Sequence, residues 1–514
     1  MLDKKIKNIF LIVMIFISII SFFVVLCCNS TIESRYLCLL PLFLIFGLSV
    51  YLLANKNSVM YIGSFIIIVS YFIRMSVAPA FMAIGDYFST KSSELDYNTA
   101  ILFMIYEFIF VFFILSFLSK NKNINTGKWN ESTEKSENNE NIKFKVNKNM
   151  KLIILFLIII CTLFCFRYPQ ILNSFKFGVL SNSELIQWQK KYNFSLNSMP
   201  KLIFYMISWC IKIIKEVIIF IILLAIKNKK NSKFKFISSL AIILIGSLIS
   251  DDTLAQNLYF ACVYFLLLTE FYPDNKKKIY TILSITVGLI FFYGLISEKI
   301  SDYNYKETAY NIANTLQVYF TGVYNVAVSL KLKVENPLKI IVGDFLRSIP
   351  LFKTFFVNMQ TSTTVFCSYI NDEYNSQIVP SLGQSMFLFG KIFAPLIASL
   401  FTIITVKCES KIKKIDNYFD KFICYIIIVK LACIPVIYNG QIFLQGLFGT
   451  ILPLVIISLF NKKEKKYDWK KNSLLLVWRK WTTYKGKKMY KIMEKIFSRL
   501  WNHRMEWKKF WYKF

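Results

Sequence analysis

Continuous apolar runs recur along this 514-residue chain and constrain its fold more than any other feature. Each is roughly 18 to 25 residues long, the length a helix needs to cross about 30 Å of hydrocarbon. Backbone polar groups in lipid must be satisfied within the segment, so such runs read as helices. A β-barrel would alternate apolar and polar residues, and these runs do not. The expected fold class is all-α: a polytopic integral membrane protein with about 12 transmembrane helices and a large outer loop carrying amphipathic helices. The spans are placed near 8–28, 36–54, 59–82, 99–118, 151–166, 201–226, 236–250, 256–272, 279–297, 386–406, 422–437 and 441–460.

Loop charge orients these spans, because cytoplasmic loops carry an excess of Lys and Arg. With the amino terminus inside, the cytoplasmic loops hold Lys56, then Lys120 through Lys148, then Lys227 through Lys235. They continue with Lys276 to Lys278 and Lys407 to Lys421, and the last span empties into Lys462 and Lys463. The alternate loops are short, neutral or mixed. The longest sets Lys299, Lys306, Lys331, Lys333, Lys339, Arg347 and Lys353 against Glu298, Asp302, Glu307, Glu335, Asp344, Asp372 and Glu373. This pattern places both termini in the cytoplasm of a multi-pass protein of the bacterial cytoplasmic (inner) membrane.

The chain therefore divides into helices 1–4 (1–118), a flexible cytoplasmic linker (119–150) and helices 5–9 (151–297) with an outer loop at 167–200. A large outer loop (298–385), helices 10–12 (386–460) and a basic aromatic cytoplasmic tail (461–514) follow. The linker is rich in Asn, Lys, Glu and Ser without periodicity. Within the large loop, 309–330 and 345–358 alternate at helical spacing, which predicts helices lying on the membrane surface. The tail interleaves Lys and Arg with six tryptophans from Trp469 to Trp511, a composition suited to anionic headgroups.

A net charge of +32 invites a nucleic-acid reading. The basic residues fall where topology demands them, and abundant Ile, Asn, Lys, Phe and Tyr indicate an AT-rich genome. No nucleic-acid partner is expected. Most of the eleven cysteines lie in apolar runs, where they act as small hydrophobes. Cys367 stands alone in the longest loop, so no disulfide framework or CxxC metal spacing is read. The first run follows Lys4, Lys5 and Lys7 as in a signal peptide. It lacks a small-residue cleavage site and reads as the first span.

The single histidine, His503, falls in the cytoplasmic tail, which excludes a histidine base, triad or metal site on the outer face. No GxxxxGK[ST] phosphate loop is present. Gly343-Asp344-Phe345-Leu346-Arg347-Ser348-Ile349-Pro350 puts Asp344 and Arg347 three residues apart on one helical face. Arginine offers a planar fork for a diphosphate, and a carboxylate could deprotonate a sugar hydroxyl. The plainer reading is a local ion pair on a surface helix.

Gln377 through Gln384, including Gly383, leads into Gly390 and Pro395, which suggests a bent re-entry lining a cavity. An ordinary helix start is the alternative. Arg74, with Pro79 and Gly85, sits in the outer half of the third span, either functional and paired or snorkelling to the headgroups. Arg167 opens the medium outer loop as an anchor or substrate contact. Lys212, Lys215 and Glu216 share a face of the sixth span, and Lys212 is expected to pair with Glu216 or Glu107 as structural glue. Asp251-Asp252 at a tight outer turn could bind metal only if both carboxylates faced one way.

Taken together, these features resemble the O-antigen polysaccharide polymerase (Wzy-type) family. The layout of spans, Tyr319-Phe320-Thr321-Gly322, the 343–350 stretch, Gln377 to Gln384 with Gly390 and Pro395, and the Arg74 to Gly85 segment carry the resemblance. It touches about a third of the chain. It implies a surface-polysaccharide polymerase that transfers a growing undecaprenyl-diphosphate-linked glycan onto a lipid-linked repeat unit at the outer face of the membrane. The enzyme would be metal-independent and need no cofactor. Arg347 and Arg74 would stabilise charge on the departing diphosphate, and Asp344 would act as base or orient the acceptor. Gln377, Gln384, Arg167 and Gly383 would contact substrate. Partners implied are the lipid-linked oligosaccharide, membrane lipids, a chain-length regulator and a flippase.

Related ligases are associated with an outer-face histidine, which this chain lacks. A lipid-linked oligosaccharide flippase or other multi-span transporter is the alternative, although it would not need so large an outer loop. A metal-dependent glycosyltransferase built on Asp251 and Asp252, and a structural scaffold, are further rivals.

Overall fold

A computed structural model describes residues 4–283, with breaks at 29–31, 57, 91–94, 128–147, 168–175, 178–200, 230–233 and 251–253. It also describes residue 285 and 305–462, with breaks at 351, 371–376 and 413. The chain divides at Phe460 into two compact units, and the second, Asn461–Phe514, lies almost wholly outside the described residues. The basic aromatic tail, Asp251 and Asp252 fall outside them too.

Among the described residues the fold is helical, and the one strand pairing is two residues long, Lys176–Phe177 antiparallel to Ile249–Ser250. Six helices are long and apolar enough to cross a membrane: Lys4–Cys28, Arg35–Ala54, Ile62–Ile84, Tyr97–Ser119, Lys391–Ile412 and Gly440–Leu459. Ile154–Arg167, Lys235–Ser247 and Tyr259–Phe271 are shorter apolar helices. Tyr418–Cys433 is a helix of 16 residues. Lys201–Asn228 has the length of a span but carries Lys212, Lys215 and Glu216 near its middle. The expected span at 279–297 is described only to residue 283 and at 285.

The first helix shows why this pattern suits lipid. Its inward stripe is Lys7, Leu11, Met14, Ser18, Ser21 and Val25. Its exposed side is Ile9, Ile12, Phe16, Ile20 and Phe23. A helix more apolar outside than inside inverts the pattern of a helix on a soluble core. Inward serines are satisfied: Ser18 Oγ donates to the Met14 carbonyl of its own helix at 2.8 Å, and Ser21 Oγ to the Ser76 carbonyl of the third long helix at 2.6 Å.

Among the described residues, two large apolar cores dominate the interior. One joins the first four long helices and includes Leu44, Ile67, Tyr71, Phe108 and Phe112. The other joins helices 201–228, 254–271, 418–433 and 440–459 around Phe220, Tyr264, Phe265 and Phe422. At one end of the first core, the Lys7 ammonium donates to the carbonyls of Asn55 and Ser58. From the distant Leu396–Ile412 helix, Glu409 accepts from the Gly63 N–H and, at 3.4 Å, from Ser64 Oγ, which caps the start of the third long helix.

At the opposite ends of these helices lies a cap built from residues 305–389. Here the structure corrects an expectation. The Tyr305–Tyr319 and Val323–Lys331 helices do not rest on a surface, because Ala313, Leu316, Val323, Val326 and Ala327 are buried in the first core. An amphipathic stripe reads the same whether it faces lipid or protein, and small Ala residues here favour close helix packing. Gly85 is part of that packing, since a Cβ there would lie 2.4 Å from the Tyr310 amide nitrogen.

A second correction concerns the linker. The fourth long helix continues as Tyr97–Gly127, past the expected boundary at 118. The expected bend at the tenth span is present. The Ser381–Phe389 helix stops at Gly390, whose φ of +94° suits a residue without a Cβ, and a 3-10 turn at Lys391–Phe393 precedes Leu396–Ile412.

Candidate active site

Three short helices of the cap and one long helix meet around Asp344. Its helix, Pro337–Ser348, starts with a proline and is capped by Asn336, whose side chain accepts from the Lys339 N–H at 3.2 Å. One residue before Asp344, Gly343 admits a crossing strand of backbone: a Cβ would lie 2.0 Å from the Gln360 carbonyl oxygen. That crossing delivers the next helix, Ser362–Tyr369, which a reciprocal Thr361–Thr364 capping box starts.

Ser362 then gives both its donors to Asp344, the N–H to Oδ1 at 2.8 Å and the hydroxyl to Oδ2 at 2.5 Å. Gln384, one turn into the Ser381–Phe389 helix, donates Nε2 to the same Oδ2 at 3.1 Å and to Ser362 Oγ at 3.0 Å. Its amide orientation is fixed from the other side, since Oε1 accepts from the Gly440 N–H at 2.8 Å. The neighbouring Gln441 closes the ring. Its Oε1 accepts from Thr363 N and Oγ1, at 3.1 and 2.7 Å, and its carbonyl accepts from Ser348 Oγ at 3.3 Å.

Asp344 is 4% exposed. Burial raises its proton affinity, and the donors of Ser362 and Gln384 with the charge of Arg347 oppose the shift without cancelling it. The carboxyl is therefore held above the usual aspartate range.

Arg347 does not form the close ion pair with Asp344 that the plainer reading expected. Its Nη1 donates to the Met359 carbonyl at 2.8 Å and the side chain is half-buried. A guanidinium has five N–H donors, so most remain for another partner. Asp344 and Gln384, which sequence marked separately, touch each other. Gly383 is a packing position, where a Cβ would lie 2.2 Å from Ser329 Oγ. The Gln377 carbonyl accepts from Cys367 Sγ at 3.6 Å, on the edge of the same cap. Arg167 ends the Lys148–Arg167 helix and is exposed.

Arg74 stands apart, in a π-helical turn, Ile73–Val77. It does not snorkel: it is 2% exposed and its Nη1 lies 3.2 Å from Glu107 Oε1, which also accepts from Tyr71 Oη at 2.6 Å. Glu107 is thus taken by Arg74 and Tyr71, in place of the pairing with Lys212 that was one expectation. Arg74 Nε and Nη2 have no hydrogen-bond partner.

Sequence reasoning missed Ser362, Thr363 and Gln441. The run Thr361-Ser362-Thr363-Thr364 ahead of an apolar pair is a helix-start signal, but nothing in it points to Asp344. The Tyr319 to Gly322 motif proves to be a tight turn. Thr321 has φ +41° and its hydroxyl donates to the Val436 carbonyl at 2.5 Å, tying the cap to the turn that follows the Tyr418–Cys433 helix.

Comparison of the chain with family models, curated proteins and solved structures finds no match.

Proposed function

We propose that the chain is a polymerase of lipid-linked surface polysaccharide, acting at the outer face of a bacterial cytoplasmic membrane. The observation that carries this reading is the cap: a fixed polar ring presents a half-buried Arg347 with spare donors at the ends of apolar helices. A lipid-linked diphosphate would meet such a group where headgroup chemistry meets hydrocarbon. The guanidinium would stabilise negative charge as the glycan leaves the diphosphate. Asp344, satisfied by Ser362 and Gln384 and closed to solvent, takes the role of a positioning residue here. It locks the helix of Arg347 to the 362–369, 381–389 and 440–459 helices. Such a transfer draws on the existing sugar–phosphate bond, so no nucleotide is required.

A strain carrying Arg347→Ala at normal membrane level tests the reading. Single repeat units at the surface with loss of long chains is the expected result. Repeat units confined to the cytoplasmic leaflet would identify a flippase, and unchanged chains would refute the role of Arg347.

A further inference from the structure

One helix of the cap turns apolar side chains away from the protein. Pro337–Ser348 buries Ile340, Gly343, Asp344 and Ser348. Leu338, Val342 and Phe345, spaced four and three residues apart, share the opposite face and are 73%, 48% and 45% exposed. The polar side is thus the inward one, the same inversion that marks the Lys4–Cys28 helix. Exposed apolar residues continue past the helix at Phe352 and Phe355. Sequence periodicity put a surface helix at 345–358; the structure starts it at Pro337 and leaves only the short Phe352–Phe355 helix beyond.

The depth of this face follows from one contact. The Phe345 ring meets Phe448 edge-on, with centroids 5.4 Å apart. Phe448 lies eight residues past Gly440 in the Gly440–Leu459 helix, about 12 Å along its axis. A helix of that length matches about 30 Å of hydrocarbon, so Phe448 sits below the headgroups with Phe345 beside it. Leu452 and Ile456 follow Phe448 at four-residue spacing and are exposed. The apolar face of the cap helix therefore continues the stripe that this spanning helix offers to lipid. Ser348 Oγ donates to the Gln441 carbonyl at 3.3 Å, which sets the last turn of the cap helix, with Arg347, near the end of the span. Glu335 and Lys339 at the other end are exposed, and a lysine stem can carry its charge to the headgroups. The helix thus lies along the interface with its apolar face in hydrocarbon.

We infer that acyl chains of the leaflet on the cap side cover Leu338, Val342 and Phe345. The face offers no polar side chain to pair with another protein surface, and it runs into a stripe that faces lipid. Its consequence, which rests on the function proposed above, is a route for substrate. The leaflet is then the outer one, and a lipid-linked diphosphate reaches Arg347 at headgroup level by diffusing within it, without leaving the bilayer.

The test places benzoylphenylalanine at Val342 in the full chain, in phosphatidylcholine vesicles, with the same replacement at Ile456 as the lipid-facing reference. Irradiation is expected to add the mass of one phosphatidylcholine at either position. A protein–protein adduct at 342 would show that a second copy covers the face, and no adduct at 342 while 456 is labelled would show that water does. Either result overturns the inference. Val342→Asp, which drives a charge into acyl chains, is expected to abolish long surface glycan, and Val342→Leu to leave it unchanged. Long glycan in Val342→Asp at normal membrane level would overturn the route; should that variant fail to insert, the adduct decides. The two readings fail separately. Lipid adducts at 342 with unchanged glycan in Arg347→Ala sink the polymerase alone, and a protein–protein adduct with glycan lost in Arg347→Ala sinks this surface alone.

Discussion

Replacing Gly343 by alanine tests the construction of the cap, because its cost is set by one contact. The added Cβ would sit 2.0 Å from the Gln360 carbonyl oxygen. To reach ordinary van der Waals contact, that backbone must retreat by about 1.4 Å in an interior that packs like a crystal. Gln360 is two residues before Ser362, whose N–H and hydroxyl hold Asp344. The displacement therefore reaches the ring and Met359, the partner of Arg347. Overpacking of this kind costs about 1–3 kcal/mol, while a shift of about 1 Å in a positioned group can cost about 10²-fold in rate. Gly343→Ala is expected to shorten surface glycan far more than it lowers thermal stability of the detergent-solubilised protein. Full-length glycan at normal protein level would refute the claim that this crossing positions Arg347.

Two further perturbations follow from the buried charges. Asp344 holds its proton above the 3.8 of an ordinary aspartate, so its protonation favours the folded state. That contribution is fully present below the unfolded value and lost as pH rises through the folded one. Across the range in which this carboxyl titrates, the stability difference between wild type and Asp344→Asn should therefore change with pH, wild type gaining on acidification; a constant difference would contradict the shift. Breaking the Arg74–Glu107 pair by Glu107→Gln should cost about 3–5 kcal/mol and lower membrane level. The apolar double variant Arg74→Met/Glu107→Leu should recover it with polymer intact. Recovery of level without polymer would instead show that Arg74 acts on substrate.

Among the described residues, six of the twelve expected spans are matched by helices long and apolar enough to cross a membrane, and these were legible because crossing lipid demands an uninterrupted apolar length that few other folds require. The bend at Gly390 and Pro395 was legible for a similar reason, since each residue breaks a helix by its own backbone chemistry. The inward packing of the 305–319 and 323–331 helices was not, because their apolar stripe fits lipid and protein equally well. Nor was the ring around Asp344. Ser362 lies 18 positions away, Gln384 40 and Gln441 97, and polar residues without a period carry no record of whom they meet. The partner of Arg74 was hidden likewise, 33 positions distant on another helix.

The most direct measurement of polymerase activity uses purified protein in vesicles supplied with lipid-linked repeat units and no nucleotide. The expected result is a ladder of longer lipid-linked glycans from wild type and single units alone from Arg347→Ala. Transfer of unextended units across the bilayer by the wild-type protein, with no ladder, would contradict it and identify a transporter.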